Sequence, residues 1–459
     1  MGTASRQDAT DDDCWIEREA QRMEAELVRN RREVHRHAES AWTEFWTTSY
    51  IAKRLAESGY NVLIGSDVCC DSARMGVPPD AMVEQHRCRA LEQGADADLL
   101  KAMRGGLTGA IGSRSQGRGP VIALRFDIDA LELLESKELT HRPTREGFAS
   151  LNDGVCHACG HDGHVAIGLG VASILSRLPE GLPGTLRLIF QPAEEGVRGA
   201  RAIVAAGHLS DVDYVIGCHL LSGWAVGEFA SGLGGYAATR KFDVRFLGEA
   251  AHAGGSPEGG RNALLAAATA ALHLHALPRH HGGFTRVHVG RMEAGTGRNV
   301  IPDRALLVAE VRGGTGALCQ SMYERAARVV AAAAAMYGCA VDIILMGQAD
   351  TAQSDPDLAR RVENAGAHVG PFTFHDVDAI GGSEDFTEMM RAVQARGGLA
   401  TSVGIGGDYH GISRDDANRS GLLAPHSGVF DFDERALGVA VRVLSRLVID
   451  LAREAQETT

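Results

Sequence analysis

The sequence predicts an α/β fold, a central mixed sheet flanked by helices and interrupted by a ferredoxin-like unit, and three observations predict it. Short β-type runs alternate with helical stretches through the first half. From about Lys241 the order changes to strand, helix, strand, strand, helix, strand, which is the βαββαβ order of a ferredoxin-like unit. Alternation of helix and strand returns from about Asp350 to the end, so the unit reads as an insertion.

The elements follow in order. Trp15–Ser58 has helical periodicity, with Met23, Leu27, Ile51 and Leu55 among its apolar positions. Val121–Ile128, Thr185–Gln191 and Asp213–Leu220 read as strands, separated by helical stretches at His164–Ser176 and Gly199–Ala206. The glycine-, arginine- and serine-rich piece GAIGSRSQGRGP and the stretch Gly404–Ser427 read as surface turns or a lid. These bounds give a disordered tail at 1–14, a larger domain at 15–238 and 348–459, and the insert at 239–347.

Composition narrows the function classes. A chain of 459 residues with 44% hydrophobic content can bury a large core. Its net charge of -13, with no clustered lysines and arginines, argues against a nucleic-acid partner. Nine cysteines without an evenly spaced framework point to a reducing cytoplasm rather than a disulfide scaffold. The acidic opening lacks the apolar core of a secretory signal, and no run approaches the roughly 18 apolar residues of a membrane span.

The densest chemical signal is the run from Cys156 to His164, CHACGHDGH, just ahead of an apolar helix. Cys159 and His161, two residues apart, would point the same way on an extended turn. A structural zinc or a redox pair is the competing reading, but no second CxxC occurs at finger spacing and the context is not thioredoxin-like. The second signal is QPAEEG, where Glu194 and Glu195 adjoin a predicted buried strand. Neighbouring carboxylates repel unless a cation sits between them, so one can ligate a metal while the other takes a proton from water. His219, ending DYVIGCHL, and His426, in APHSGVFDFDE, complete a set of imidazoles, a thiolate and carboxylates suited to two cations. In the insert, His252 within AAHAG and Asn299 within GRNVIP could bind a developing oxyanion.

With HACGHDGH, QPAEEG, AAHAG and GRNVIP in this order, the chain resembles the aminoacylase/carboxypeptidase G metallopeptidase family, in its auxin-conjugate hydrolase branch. Further shared stretches, among them HRHAES, RGARA, RNALLAAA, GSED and FDFDE, extend the resemblance over nearly the whole chain. The resemblance implies metal ligation by Cys159, His161, Glu195, His219 and His426, with Glu194 as general base and acid. It implies that His252 and Asn299 stabilise the tetrahedral oxyanion, His252 reaching across a dimer, and that the insert is a lid and dimerisation domain. Arg312 becomes the grip on a substrate carboxylate, and Asp127 and Asp129 become residues that orient the ligands. Two divalent cations are expected, manganese first and zinc as its rival.

The implied reaction is hydrolysis of the amide C–N bond of an aromatic N-acyl or aroyl amino acid of the p-aminobenzoyl-glutamate type, by attack of metal-bound hydroxide with Glu194 as base. Such an enzyme would serve aromatic compound catabolism as a homodimer, or as a heterodimer with a homologous subunit. The stretch Gly404–Pro425 is longer than its counterpart in the branch and carries Tyr409, His410, Arg414 and Arg419 beside His426. That departure admits an aminohydrolase of a nitroanthranilate-type acid, releasing ammonia, as a second reading. A catalytically silent partner subunit is a third.

Overall fold

The structure, a computed structural model, describes residues 11–377, 382–408 and 425–457. In chain order its strands are β1 (Asn61–Ile64), β2 (Ala110–Gln116), β3 (Val121–Asp127), β4 (Gly184–Gln191), β5 (Tyr214–Ala225), β6 (Glu228–Ala230), β7 (Ala238–Leu247), β8 (Thr285–Ala294), β9 (Arg304–Gly313), β10 (Ala340–Ala349), β11 (Thr373–Phe374) and β12 (Leu399–Asp408). Eight of them form a mixed sheet in the order β1-β2-β4-β3-β5-β12-β6-β11. The β4–β3–β5–β12 centre is parallel, and β1, β2 and β6 join antiparallel.

Alternation along β3 shows why helices cover both faces. Ile122, Leu124 and Phe126 enter one apolar cluster, while Ala123 enters a second on the other side. The first face is covered by the helices Asp11–Arg36, His161–Ser176 and Arg435–Glu457, whose Leu27, Val165 and Val441 share its cluster. The second is covered by Ala200–Ala205 and Phe386–Gln394. His161–Ser176 lies close to the sheet because Gly168 has no side chain: a Cβ there would stand 2.7 Å from the Phe126 ring. The remaining strands, in the order β10-β7-β9-β8 and wholly antiparallel, carry the helices Ala263–His275 and Gly316–Met336. This is the βαββαβ arrangement, with an apolar cluster of its own around Phe242, Val244 and Leu307.

Two expectations are corrected. The first helix begins at Asp11, inside the expected tail, because Asp13 is buried against Arg446 at 2.5 Å. GAIGSRSQGRGP is not all turn, since Ala110–Gln116 is β2, paired on both edges, with Ala110, Ile111 and Gly112 buried. Most of Gly404–Pro425 lies outside the described residues, because 409–424 are not among them. Among the described residues no helix is long and apolar enough to cross a membrane.

A buried ionic network joins two helices of the first face to the segment leading into the third. Arg31 donates to Asp162 at 2.7 Å, Asp431 at 2.8 Å and Glu434 at 3.2 Å. His35 bridges Asp162 and Glu135, each at 2.9 Å. Burial works against a charged His35, but its bonds to Asp162 and Glu135 prevail and lift it from 6.5 to about 9. Replacing Arg31 by Met removes the buried cation that Asp162, Asp431 and Glu434 share and leaves them to His35, Arg142 and Arg32, so Arg31→Met is expected to cost about 3 kcal/mol in denaturant unfolding. Because His35 holds its proton more tightly when folded, its contribution is complete below pH 6.5 and disappears as pH rises to about 9. His35→Asn should therefore flatten the stability-versus-pH curve across that window.

Candidate metal centre

Five side chains from distant stretches converge at the carboxyl ends of the central strands. Cys159 lies in the turn before the helix His161–Ser176, and His161 is that helix's first residue. Gly160, between them, adopts φ +86, which lets the chain reverse from the turn into the helix. His161 donates from Nδ1 to the Asp129 carbonyl at 2.8 Å, which leaves its Nε2 facing the site. His219, on β5, donates from Nδ1 to the Leu220 carbonyl at 2.7 Å, and its Nε2 lies 3.6 Å from the Cys159 sulfur. Glu195 follows β4, and its Oε1 is 3.3 Å from Nε2 of His426. His426 is tied to the same turn, its backbone N–H donating to the Ala158 carbonyl at 2.8 Å.

The donor atoms form overlapping triads within 4.8 Å: Cys159, His161 and His219; Cys159, Glu195 and His426; His161, Glu194 and Glu195. Cys159 thus belongs to two of them. The buried atoms His161 Nε2 and Glu195 Oε1 have no aligned hydrogen-bond partner, as expected of groups shaped to ligate cations rather than each other. A thiolate, three imidazoles and a carboxylate around two positions fit two divalent ions.

A second layer holds this set. The Asp129 carboxylate accepts the backbone N–H groups of Glu194 at 3.0 Å and Glu195 at 2.9 Å. The turn they sit in is strained: Ala193 and Val197, on either side of the pair, take φ of 55 and 59, unusual for a residue with a side chain and most of all for a β-branched one. His164 donates from Nδ1 to Asp127, and its Nε2 accepts the Leu220 backbone N–H at 2.8 Å, directly after His219. Asp127 is paired in turn with Arg125, which also reaches Gln191 at 2.8 Å and Glu384 at 3.1 Å.

The electrostatics separate the two glutamates. Burial, reinforced by Glu384, Glu195 and Asp385, pushes Glu194 well above the usual carboxylate range. Glu195 moves the other way: burial opposes its charge, but His426 and His161 hold it anionic. Burial also opposes a Cys159 thiolate, yet His219 and His161 bring it down to about 6. His219 is lifted to about 9 against burial by Cys159, and His426 to about 10 by the adjoining Cys159 sulfur and Glu195 carboxylate. Protons on these imidazoles neutralise the charge that cations would neutralise. Cys156, in contrast, is buried and pushed up to about 12, and His157 is pressed down to about 3 by burial, and neither is in the triads named above.

The donors open into a cavity of about 560 Å³. Glu194 and Glu384 lie in its wall, apolar surface comes from Leu221, Leu233 and Tyr236, and Arg312 reaches it from β9. His252 and Asn299 do not line it. They sit together on the outside of the four-stranded unit, joined by a bridge between His252 and Val300 and a bond from Ala253 N–H to the Asn299 carbonyl at 2.9 Å, and both are exposed. Sequence reading saw His164 in the ligand-rich run without assigning its supporting role, and missed Arg125 and Glu384. GSED was visible as a shared stretch, but nothing local says that its glutamate faces a cavity.

The model of Peptidase family M20/M25/M40 matches residues 123–449. The chain belongs to this peptidase family. It is 46% identical over 424 residues to the indole-3-acetyl-aspartic acid hydrolase of Enterobacter agglomerans, covering 92% of this chain and 94% of the relative. It is 44% identical over 423 residues to one of the subunits of p-aminobenzoyl-glutamate hydrolase from Escherichia coli K12, again covering 92% and 94%. A dinuclear metal-binding M20 peptidase from Bacillus subtilis superposes with TM-score 0.62 at 27% identity, covering 94% of this chain and 99% of that structure. This M20 member is a hydrolase of amide C–N bonds, and its donor set agrees with the two-metal character of that neighbour.

His164→Phe would keep an aromatic ring while removing one of the donors to Asp127 and the acceptor of the Leu220 N–H. Metal affinity, read by competition with a coloured chelator, is expected to fall roughly 10–100-fold, the range for lost outer-layer partners.

Proposed function

We propose that this M20 hydrolase cleaves the amide bond of an aromatic N-acyl or aroyl amino acid, with Cys159, His161, Glu195, His219 and His426 holding two divalent cations and Glu194 as base. The observation that carries the reading is geometric: the donors of Cys159, His161, His219, Glu195 and His426 gather in overlapping triads at one cavity, with Glu194 beside Glu195 in its wall. Relatives named for acting on p-aminobenzoyl-glutamate and indole-3-acetyl-aspartic acid support the substrate class. When bound, the cations would acidify a water and polarise the scissile carbonyl. Manganese is proposed on the branch resemblance, and zinc is the ion that the thiolate also accommodates.

The residues act in sequence. Glu194 takes a proton from the attacking water and returns it to the departing nitrogen. Arg312 binds the substrate carboxylate through its planar fork, and Leu221, Leu233 and Tyr236 receive the aryl group. His252 and Asn299, exposed and away from this cavity, are proposed to donate to the oxyanion in the site of a second protomer, either another copy or a homologous partner. The inserted unit at 239–347 then serves as lid and dimerisation domain between the two catalytic segments.

Purified enzyme with manganese should release free amino acid from p-aminobenzoyl-glutamate or indole-3-acetyl-aspartate. Glu194→Gln should lower kcat about 10²–10⁴-fold while retaining metal by elemental analysis. Ammonia release without free amino acid would replace this reading with hydrolytic deamination.

A further inference from the structure

Lys241 is a cation in the cavity that the reaction just described does not use. Among the described residues lining the cavity, Lys241 is the only lysine and Arg312 the only arginine; the other charged lining residues include Glu194, Glu195 and Glu384. The two bases lie on neighbouring antiparallel strands, where Lys241 of β7 is opposite Glu310 of β9 and Thr239 is opposite Arg312. Alternation places Thr239, Lys241, Glu310 and Arg312 on one face of the sheet.

Glu310 is shared unequally. Arg312 grips it with two bonds, from Nε to Oε1 at 2.8 Å and from NH2 to Oε2 at 3.2 Å. The Lys241 ammonium stands 4.0 Å from Oε2, at the outer limit of an ion pair and beyond hydrogen-bond reach. One carboxylate, Glu310, therefore faces two cations, both of which line the cavity. A single substrate carboxylate on Arg312 uses one planar fork. A point-charge ammonium beside it remains for a second carboxylate.

Resting on the amide-hydrolase reading above, we propose that Lys241 binds the side-chain carboxylate of an acidic amino acid while Arg312 holds its α-carboxylate. Lys241 then makes the enzyme selective for conjugates of glutamate and aspartate over those of neutral amino acids. The aspartic acid and glutamate in the names of the two relatives agree with this charge requirement.

The test compares p-aminobenzoyl-glutamate with p-aminobenzoyl-glutamine, which match in shape and differ in charge, using the manganese-loaded full chain. Wild type is expected to favour the glutamate conjugate in kcat/KM by roughly tenfold or more, the scale of a charged hydrogen bond. In Lys241→Met that ratio should collapse toward one through a raised KM for the glutamate conjugate, and Lys241→Arg should restore most of it. An unchanged ratio in Lys241→Met, or a parallel fall for both conjugates, overturns the role of Lys241 and leaves the amide-hydrolase reading intact. Release of amino acid from neither conjugate by wild type overturns both.

Discussion

Asp129 is the residue on which the rest of the centre depends. Its two carboxylate oxygens hold the amides of Glu194 and Glu195, and its carbonyl orients His161. One side chain and one peptide group thus align the proposed base, Glu194, with the proposed ligands Glu195 and His161, contributed by two different stretches. The aspartate is itself anchored, because the next residue donates its N–H to the Glu39 carbonyl at 2.7 Å. Cation sites tolerate little displacement of their donors, so a fixed pivot between the two motifs converts two short sequence patterns into one piece of geometry.

The same clustering creates an electrostatic problem that the fold resolves by layers. Buried carboxylates cannot accumulate without compensation. Behind the centre, Arg125 counters Asp127, Glu384 and Asp385, while Arg31 counters Asp162, Asp431 and Glu434. The strongest influences on Glu194, after burial, come instead from other acids. Glu194 is thus the position pushed toward its protonated form, the direction that the proposed general base and acid requires. Burial alone would have raised both glutamates; the imidazoles on one side and the acids on the other separate them.

Legibility in the sequence followed distance along the chain. CHACGHDGH and QPAEEG were readable because each packs its donors into a few residues, and the βαββαβ order was readable because its periodicities are local. The pairing of His164 with Asp127, 37 residues away, and of Arg125 with Glu384, 259 away, has no local trace. β2 was hidden for a different reason: its glycine, serine and arginine content reads as turn, yet Gly112 is needed where a Cβ would press on Leu55 at 3.0 Å. The beginning was misread because Asp11 to Asp13 looked like a solvated acidic tail, whereas they form the first turn of a helix in which Asp12 and Asp13 face Arg453 and Arg446. Lys241 reads only as part of a strand, and it takes the strand register to put it beside Glu310 and Arg312.

The strained turn also explains how two separately packed units can share one cavity. Val197, held at positive φ, directs its carbonyl to the backbone N–H of Gln348 on β10 at 3.0 Å. Gly347 lies so close that a Cβ there would stand 2.0 Å from the Gly196 carbonyl, so β10 docks directly on the turn that carries Glu194 and Glu195. Strain of this kind persists only where surrounding contacts over-determine it. Here Asp129 grips the turn from the larger sheet and Gln348 grips it from the smaller one. The placement of Glu194 is thus a joint product of both units, and the wall bearing Lys241 and Arg312 is registered to the proposed metal ligands through backbone rather than through long side chains.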